Sequence, residues 1–169
     1  MFASAEDLNR FGKGYQPEHL GLEVVNCDRE RLVGRMPVRR DVMAPTDFLA
    51  AASVIALADV LAGYATLLNL PAGAQSFTTI ELKTNFLGTA REGTVRCEAT
   101  PAHRGRTTQV WDAKVTHEES GKTLALFRCT QLILWPSEEG TRADHARSRA
   151  RTPATLTAGP RGGPEGTDR

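Results

Sequence analysis

Residues 48–70 read FLAAASVIALADVLAGYATLLNL, and the twelfth of these 23 positions, Asp59, carries the run's one charge. A segment this long and apolar all round reads as a helix that other elements must cover. Pro45 and Thr46 precede it and Pro71 follows it, so the helix is predicted to end at about Leu68 to Asn69. A carboxylate buried alone in such surroundings costs several kcal/mol unless a partner, water or chemistry compensates it. The length also suits a bilayer-spanning helix of about 20 residues. Against that, an ionised side chain at the centre of a span costs at least ~2.5–3.5 kcal/mol. Much of the run is alanine, no basic flank follows it, and no membrane partner is expected.

Around this helix, 169 residues suffice for one domain with a real core. Lysine plus arginine (21) nearly cancel aspartate plus glutamate (20), which removes the global field of a nucleic-acid binder. Cys27, Cys97 and Cys129 lie far apart, with no C-x-x-C pair and no histidine at ligand spacing. They are expected to be reduced thiols, without metal or disulfide. The first residues, MFASAEDLNRFGKGY, are acidic and polar where a signal peptide needs a basic start and an apolar stretch. A cytoplasmic location is expected.

The chain changes character at Pro136. From 137 to 169 its one aliphatic side chain beyond alanine is Leu156, and Gly, Pro, Arg and Thr dominate. Such a segment buries too little apolar area to offset its ordering entropy, so residues 137–169 are expected to form a disordered polar tail. The domain is then 1–136. Within it the patterning predicts a short helix at 5–11 and a strand pair at 21–27 and 31–38. The long helix follows, and then four strands at 76–86, 94–100, 107–116 and 123–135. Consecutive antiparallel strands that twist can wrap one helix, which gives an α+β architecture. The helix would keep an uncovered flank, for which a second copy of the chain is a natural partner.

On a helical wheel Asp59 shares its stripe with Ala52, Ile55, Ala56, Ala62, Gly63 and Thr66. Two readings fit this pattern. Either the small side chains allow tight packing and a hydroxyl or amide caps Asp59, or they leave room for a ligand that reaches it. No G-x-S-x-G, Walker-type or Rossmann glycine pattern is present.

Three segments, LAAASVIALADVLAGYA (49–65), FTTIELKTNFLGTAREG (77–93) and HRGRTTQVWDAKV (103–115), resemble the hotdog-fold thioesterases of the phenylacetate-degradation (PaaI) type. The resemblance implies an antiparallel sheet wrapped around one central helix. It also implies at least a dimer (homodimer or homotetramer) and hydrolysis of acyl-CoA thioesters at sites between subunits. Coenzyme A would enter as part of the substrate, with no separate cofactor. In that family an acid on the helix is nucleophile or general base, nine residues after a histidine that opens a His-Gly-Gly run. Asp59 matches the acid, while Ala50, Ala51 and Ala52 stand at the His-Gly-Gly positions.

The family's oxyanion donor would fall on the Ala51 amide, a role that needs only an N–H. Thr79 falls where the family often has a hydroxyl that positions water. Asn85 is a candidate pocket residue. His103, Arg104 and Arg106, on one basic turn, are candidates for the phosphates of coenzyme A, since arginine grips phosphate in a two-pronged fork. Loss of the histidine implies a slower enzyme. Loss of every auxiliary group would leave a non-catalytic hotdog module that binds acyl-CoA or serves as a structural subunit. A hotdog dehydratase or hydratase would place a histidine with its acid, and the helix has none. Whether Ala51 can donate depends on where the helix starts. If Asp47 caps it, the Ala51 amide is already consumed.

Overall fold

The computed structural model describes residues 2–136, so the tail expected from 137 onward lies outside the described residues. Along the chain come helices α1 (Ala5–Phe11) and α2 (Gln16–Leu20) and strands β1 (Glu23–Cys27) and β2 (Leu32–Pro37). Helix α3 (Ala51–Leu68) follows, and then β3 (Ser76–Phe86), β4 (Thr94–Arg104), β5 (Thr108–His117) and β6 (Thr123–Leu134). The strands form one antiparallel sheet in the order β1-β2-β4-β5-β6-β3. Helix α3 packs on β2 through β6, which is the hotdog arrangement.

Local chemistry places the ends. Ser4 caps α1 by accepting from the Asp7 amide, and Glu6 and Asp7 sit at the positive end of the helix. The short α2, absent from the sequence reading, has proline at its start and the left-handed Gly21 (φ 67°) at its end. Strand β6 lies inside the sheet, between β5 and β3; Phe127, Cys129, Gln131 and Ile133 of its inward face are buried, whereas Leu126 and Leu134 of the other face are exposed. A bulge between Thr79 and Glu81 makes Ile80 the extra residue of β3, so the strand's period-two alternation changes step there.

The first half of the helix is held by one face. Leu57, Ala58, Leu61 and Ala65 are essentially inaccessible, whereas Ile55, Ala56, Asp59 and Val60 are half-buried and Ala51 and Ala52 are exposed. Residues 61–66 are buried all round, so the uncovered flank expected within one chain is confined to the first half of α3. Gly34 of β2 lets the helix come close, since a Cβ there would stand 2.9 Å from Leu61 Cδ2. Truncating Leu61 at this contact should leave a cavity. Leu61→Ala is expected to lower unfolding free energy by about 2–5 kcal/mol, read from the midpoint of urea unfolding. A loss under about 1 kcal/mol would show that this contact does not anchor the helix.

Candidate active site

Asp59 lies on the flank of α3 that faces the start of edge strand β3. Phe77 approaches the helix there, with its ring 3.0 Å from where a Cβ on Gly63 would stand. Thr79, two residues on and facing the same way, brings its hydroxyl 3.3 Å from Asp59 Oδ1. The same hydroxyl lies 2.9 Å from Gln131 Oε1 on β6, and Gln131 is fully buried. A cavity of about 350 Å³ opens beside the carboxylate. Phe11 of α1, Pro17 of α2, Tyr64 and Leu67 of α3 and Phe77 of β3 wall it. Among the described residues no lysine, arginine or histidine lines it.

Burial pushes the Asp59 carboxyl above its ordinary 3.8; a hydrogen bond from Thr79, were the hydroxyl turned to the carboxylate, would be a smaller, opposing influence. Burial also raises the Tyr64 phenol, so that ring stands neutral beside the acid. The result is an acid of enhanced basicity on a mostly apolar wall.

Asp47 does not cap the helix. It takes a left-handed conformation (φ 59°) in a tight turn, with its amide bonded to the Ala44 carbonyl at 3.0 Å. Aspartate tolerates that region better than most side chains. Helix α3 starts at Ala51, with Ala50 at the N-cap and no side-chain cap. The Ser53 and Val54 amides already reach the Ala50 carbonyl, and Ala50 donates to Val42, so the Ala51 and Ala52 amides precede the intrahelical ladder. The Ala51 amide meets the geometric condition for a donor. It does not stand beside the Asp59 of its own chain, because eight residues of helix separate the two by about 12 Å.

The remaining candidates lie apart. Asn85 is exposed and pairs with Leu126, on the face away from α3. His103 and Arg104 are the last exposed residues of β4. Arg104 is engaged, with a 2.6 Å ion pair to Glu30 and a 3.1 Å hydrogen bond to Asn69 Oδ1. Arg106 lies over the Trp135 ring at 4.2 Å. The wall residues Phe11, Tyr64 and Phe77 and the buried Gln131 were not singled out from the sequence. Phe77 was accessible to the period-two pattern, being two residues from Thr79.

The Thioesterase superfamily model matches residues 48–124, a span that holds α3 and strands β3, β4 and β5. Together with the relative described next, this shows that the chain belongs to the Thioesterase superfamily. It is 30% identical over 129 residues to the 1,4-dihydroxy-2-naphthoyl-CoA hydrolase of Escherichia coli, covering 76% of this chain and 93% of that protein. Among solved structures it resembles a mutant of thioesterase PA1618 from Pseudomonas aeruginosa, with a TM-score of 0.75 and 29% identity over 79% of this chain and 96% of that one. Thioesterase HI1161 from Haemophilus influenzae gives a TM-score of 0.74 and 28% identity over 79% and 92%. The chain is a thioester hydrolase by family.

The raised Asp59 carboxyl has a consequence for stability. The folded protein keeps the proton to a higher pH than the unfolded chain, so stability falls as pH rises through the window that begins near 3.8. Asp59→Asn removes that ionisation. Its melting temperature should gain on the wild type as pH rises from the ordinary 3.8 through the raised folded-state value, measured by thermal melts against pH. A difference that stays constant with pH would count against a raised Asp59.

Proposed function

We propose that the protein hydrolyses an aryl- or acyl-CoA thioester to the free acid and coenzyme A, with Asp59 as nucleophile or general base. The observation that carries this reading is a half-buried carboxylate of raised basicity, open to an aromatic-walled cavity. Either Asp59 attacks the thioester carbonyl, or it takes a proton from the water that does. The carbonyl oxygen becomes an oxyanion that an amide must hold, and the thiolate leaves and takes up the proton that the attacking water loses. Where Asp59 itself attacks, the mixed anhydride left on it is then cleaved by water, which frees the acid and restores the carboxylate. Thr79 would orient the water or the carboxylate.

The E. coli relative is named for an aryl-CoA substrate. Phe11, Tyr64 and Phe77 support an aromatic acyl group here too, since rings pack in stacked or edge-to-face pairs. Within the superfamily we read the chain as one of the phenylacetate-degradation type, acting in the cytoplasm. With Arg104 tied to Glu30 and Asn69, contact with the phosphates of coenzyme A falls to His103 and Arg106.

The Ala51 amide can serve Asp59 if it comes from a second copy. Strand β3 is an edge of the sheet and exposes Ile80, Leu82 and Phe86, with Leu87 just beyond. An apolar edge of this length is a pairing surface. A homodimer through it would set the Asp59 of one chain against the helix start of the other.

Asp59→Asn is expected to lower thiol release from aryl-CoA substrates about 100- to 10,000-fold. Full turnover in that variant would remove Asp59 from the chemistry. Binding without turnover in the wild type would favour the non-catalytic module. Ala51→Pro deletes the amide at the first helical position, where proline is tolerated, and Ala50 already has the extended backbone that precedes a proline. Its turnover should fall about 100- to 1,000-fold with the fold intact by circular dichroism. Refolding the two inactive variants together should restore activity, because a mixed dimer holds one site with both groups. A purified mixed dimer without activity would end the shared-site model.

A further inference from the structure

Four polar side chains are buried among the described residues: Ser53, Thr66, Gln109 and Gln131. The fold accounts for three. Ser53 donates to the Val42 carbonyl at 2.9 Å and Thr66 to the Ala62 carbonyl at 2.8 Å. Gln109 donates to the Asn69 carbonyl at 2.7 Å and accepts from the Trp111 indole at 3.2 Å. Gln131 is the cross-strand neighbour of Gln109 but is spent differently. Its carbonyl accepts from Thr79 Oγ1 at 2.9 Å, and that oxygen is the one lying 3.3 Å from Asp59 Oδ1.

A hydroxyl has one proton, and two oxygens compete for it. Gln131 Oε1 is the nearer, and it belongs to a fully buried side chain that water does not reach. A buried carbonyl left without a donor is costly, whereas Asp59 borders a cavity that admits solvent. The amide is oriented from its other end, where Nε2 lies 3.3 Å from Cys129 Sγ. We propose that Gln131 is a positioning residue for Asp59: it takes the proton of Thr79 Oγ1 and turns a lone pair of that oxygen, in place of a hydrogen, on the carboxylate. An ionised Asp59 then receives no hydrogen bond from Thr79, while a protonated Asp59 can donate one to it. Both effects favour the protonated acid and make the carboxylate a stronger base. The catalytic meaning of this arrangement rests on the role of Asp59 proposed above.

The other groups around Asp59 are neutral. From β6 comes the Cys129 thiol, pushed up to about 12 chiefly by burial and then by the charge of Asp59 itself. On α3 it is the Tyr64 phenol, and Phe11 of α1 and Pro17 of α2 carry no charge. On β3, Glu81 points to the opposite face, where Thr130 meets it.

The test reads the Asp59 carboxyl directly, by carbon-13 NMR of aspartate-labelled protein titrated with pH, its signal assigned by loss in Asp59→Asn. Gln131→Met frees the Thr79 proton for Asp59 and should lower its pKa by about one unit. Thr79→Val should not raise it. In the Thr79→Val background, Gln131→Met should no longer lower it. The inference is overturned if Thr79→Val raises the Asp59 pKa by about a unit, for Thr79 would then be donating to the carboxylate. It is equally overturned if Gln131→Met leaves the pKa unchanged, or shifts it as much without Thr79 as with it. Should Gln131→Met fail to fold, the Thr79→Val titration decides alone. Turnover is not needed for any of these readings. A fully active Asp59→Asn would therefore end the hydrolase role of Asp59 and still leave the proton assignment to be judged.

Discussion

Helix α3 depends on the sheet, because little in the helix itself holds it in place. It has no side-chain cap and a single charged residue, so neither capping nor ion pairs along its length contribute. Burial of one face does the work, through Leu57, Ala58, Leu61 and Ala65. Asp59 stands at the margin of that buried face, with Ala58 behind it and Val60 half-open beside it. Deeper, a carboxylate would have to be neutralised. Farther out, it would be an ordinary solvated acid. The packing of the helix therefore fixes both the place of the acid and its raised basicity.

Both ends of α3 are tied down, which keeps Asp59 in register with β3. At the start, Leu49 donates to Ala90, Ala50 to Val42 and the Ser53 hydroxyl to Val42. At the end, Asn69 collects a set of contacts. Its side chain reaches the Arg29 carbonyl in the β1–β2 turn and accepts from Arg104, and its carbonyl accepts from Gln109. Arg104 in turn holds Glu30. An arginine that looks like an anion binder in a list of residues is, in three dimensions, a clamp on the helix end.

The fold was legible because its determinants are periodic. A long apolar run bounded by prolines, an alternating strand and a strand apolar on both faces each fix an element. Their order leaves few ways to cover the helix. The acid was legible for a related reason, since one charge in an apolar segment violates the pattern. Its partners were harder to read. Gln131 also breaks an apolar strand, but a polar residue in β6 becomes informative once the register sets it opposite Thr79. Phe11 and Tyr64 belong to helices that meet only in the folded chain, so no local pattern joins them. The basic turn misled because composition shows which charges are present and not which are already paired.

Two local rules are broken in this chain, and both breaks fall at the candidate site. Alanine is among the poorest N-cap residues, about 1 kcal/mol worse than serine or aspartate, yet it occupies the N-cap of the most important helix. A half-buried carboxylate without a cationic partner is the second. Packing explains neither, since a serine at position 50 and an alanine at 59 would suit the same backbone. Under the proposed reading both are explained together. An uncapped helix start leaves an amide free for an oxyanion, and an unpaired acid keeps its basicity. With about 12 Å between them on one helix, that reading has the acid and the amide of one site come from two chains, as a two-fold assembly would allow. On the same reading, the exposed apolar edge of β3 would be the surface on which such an assembly closes.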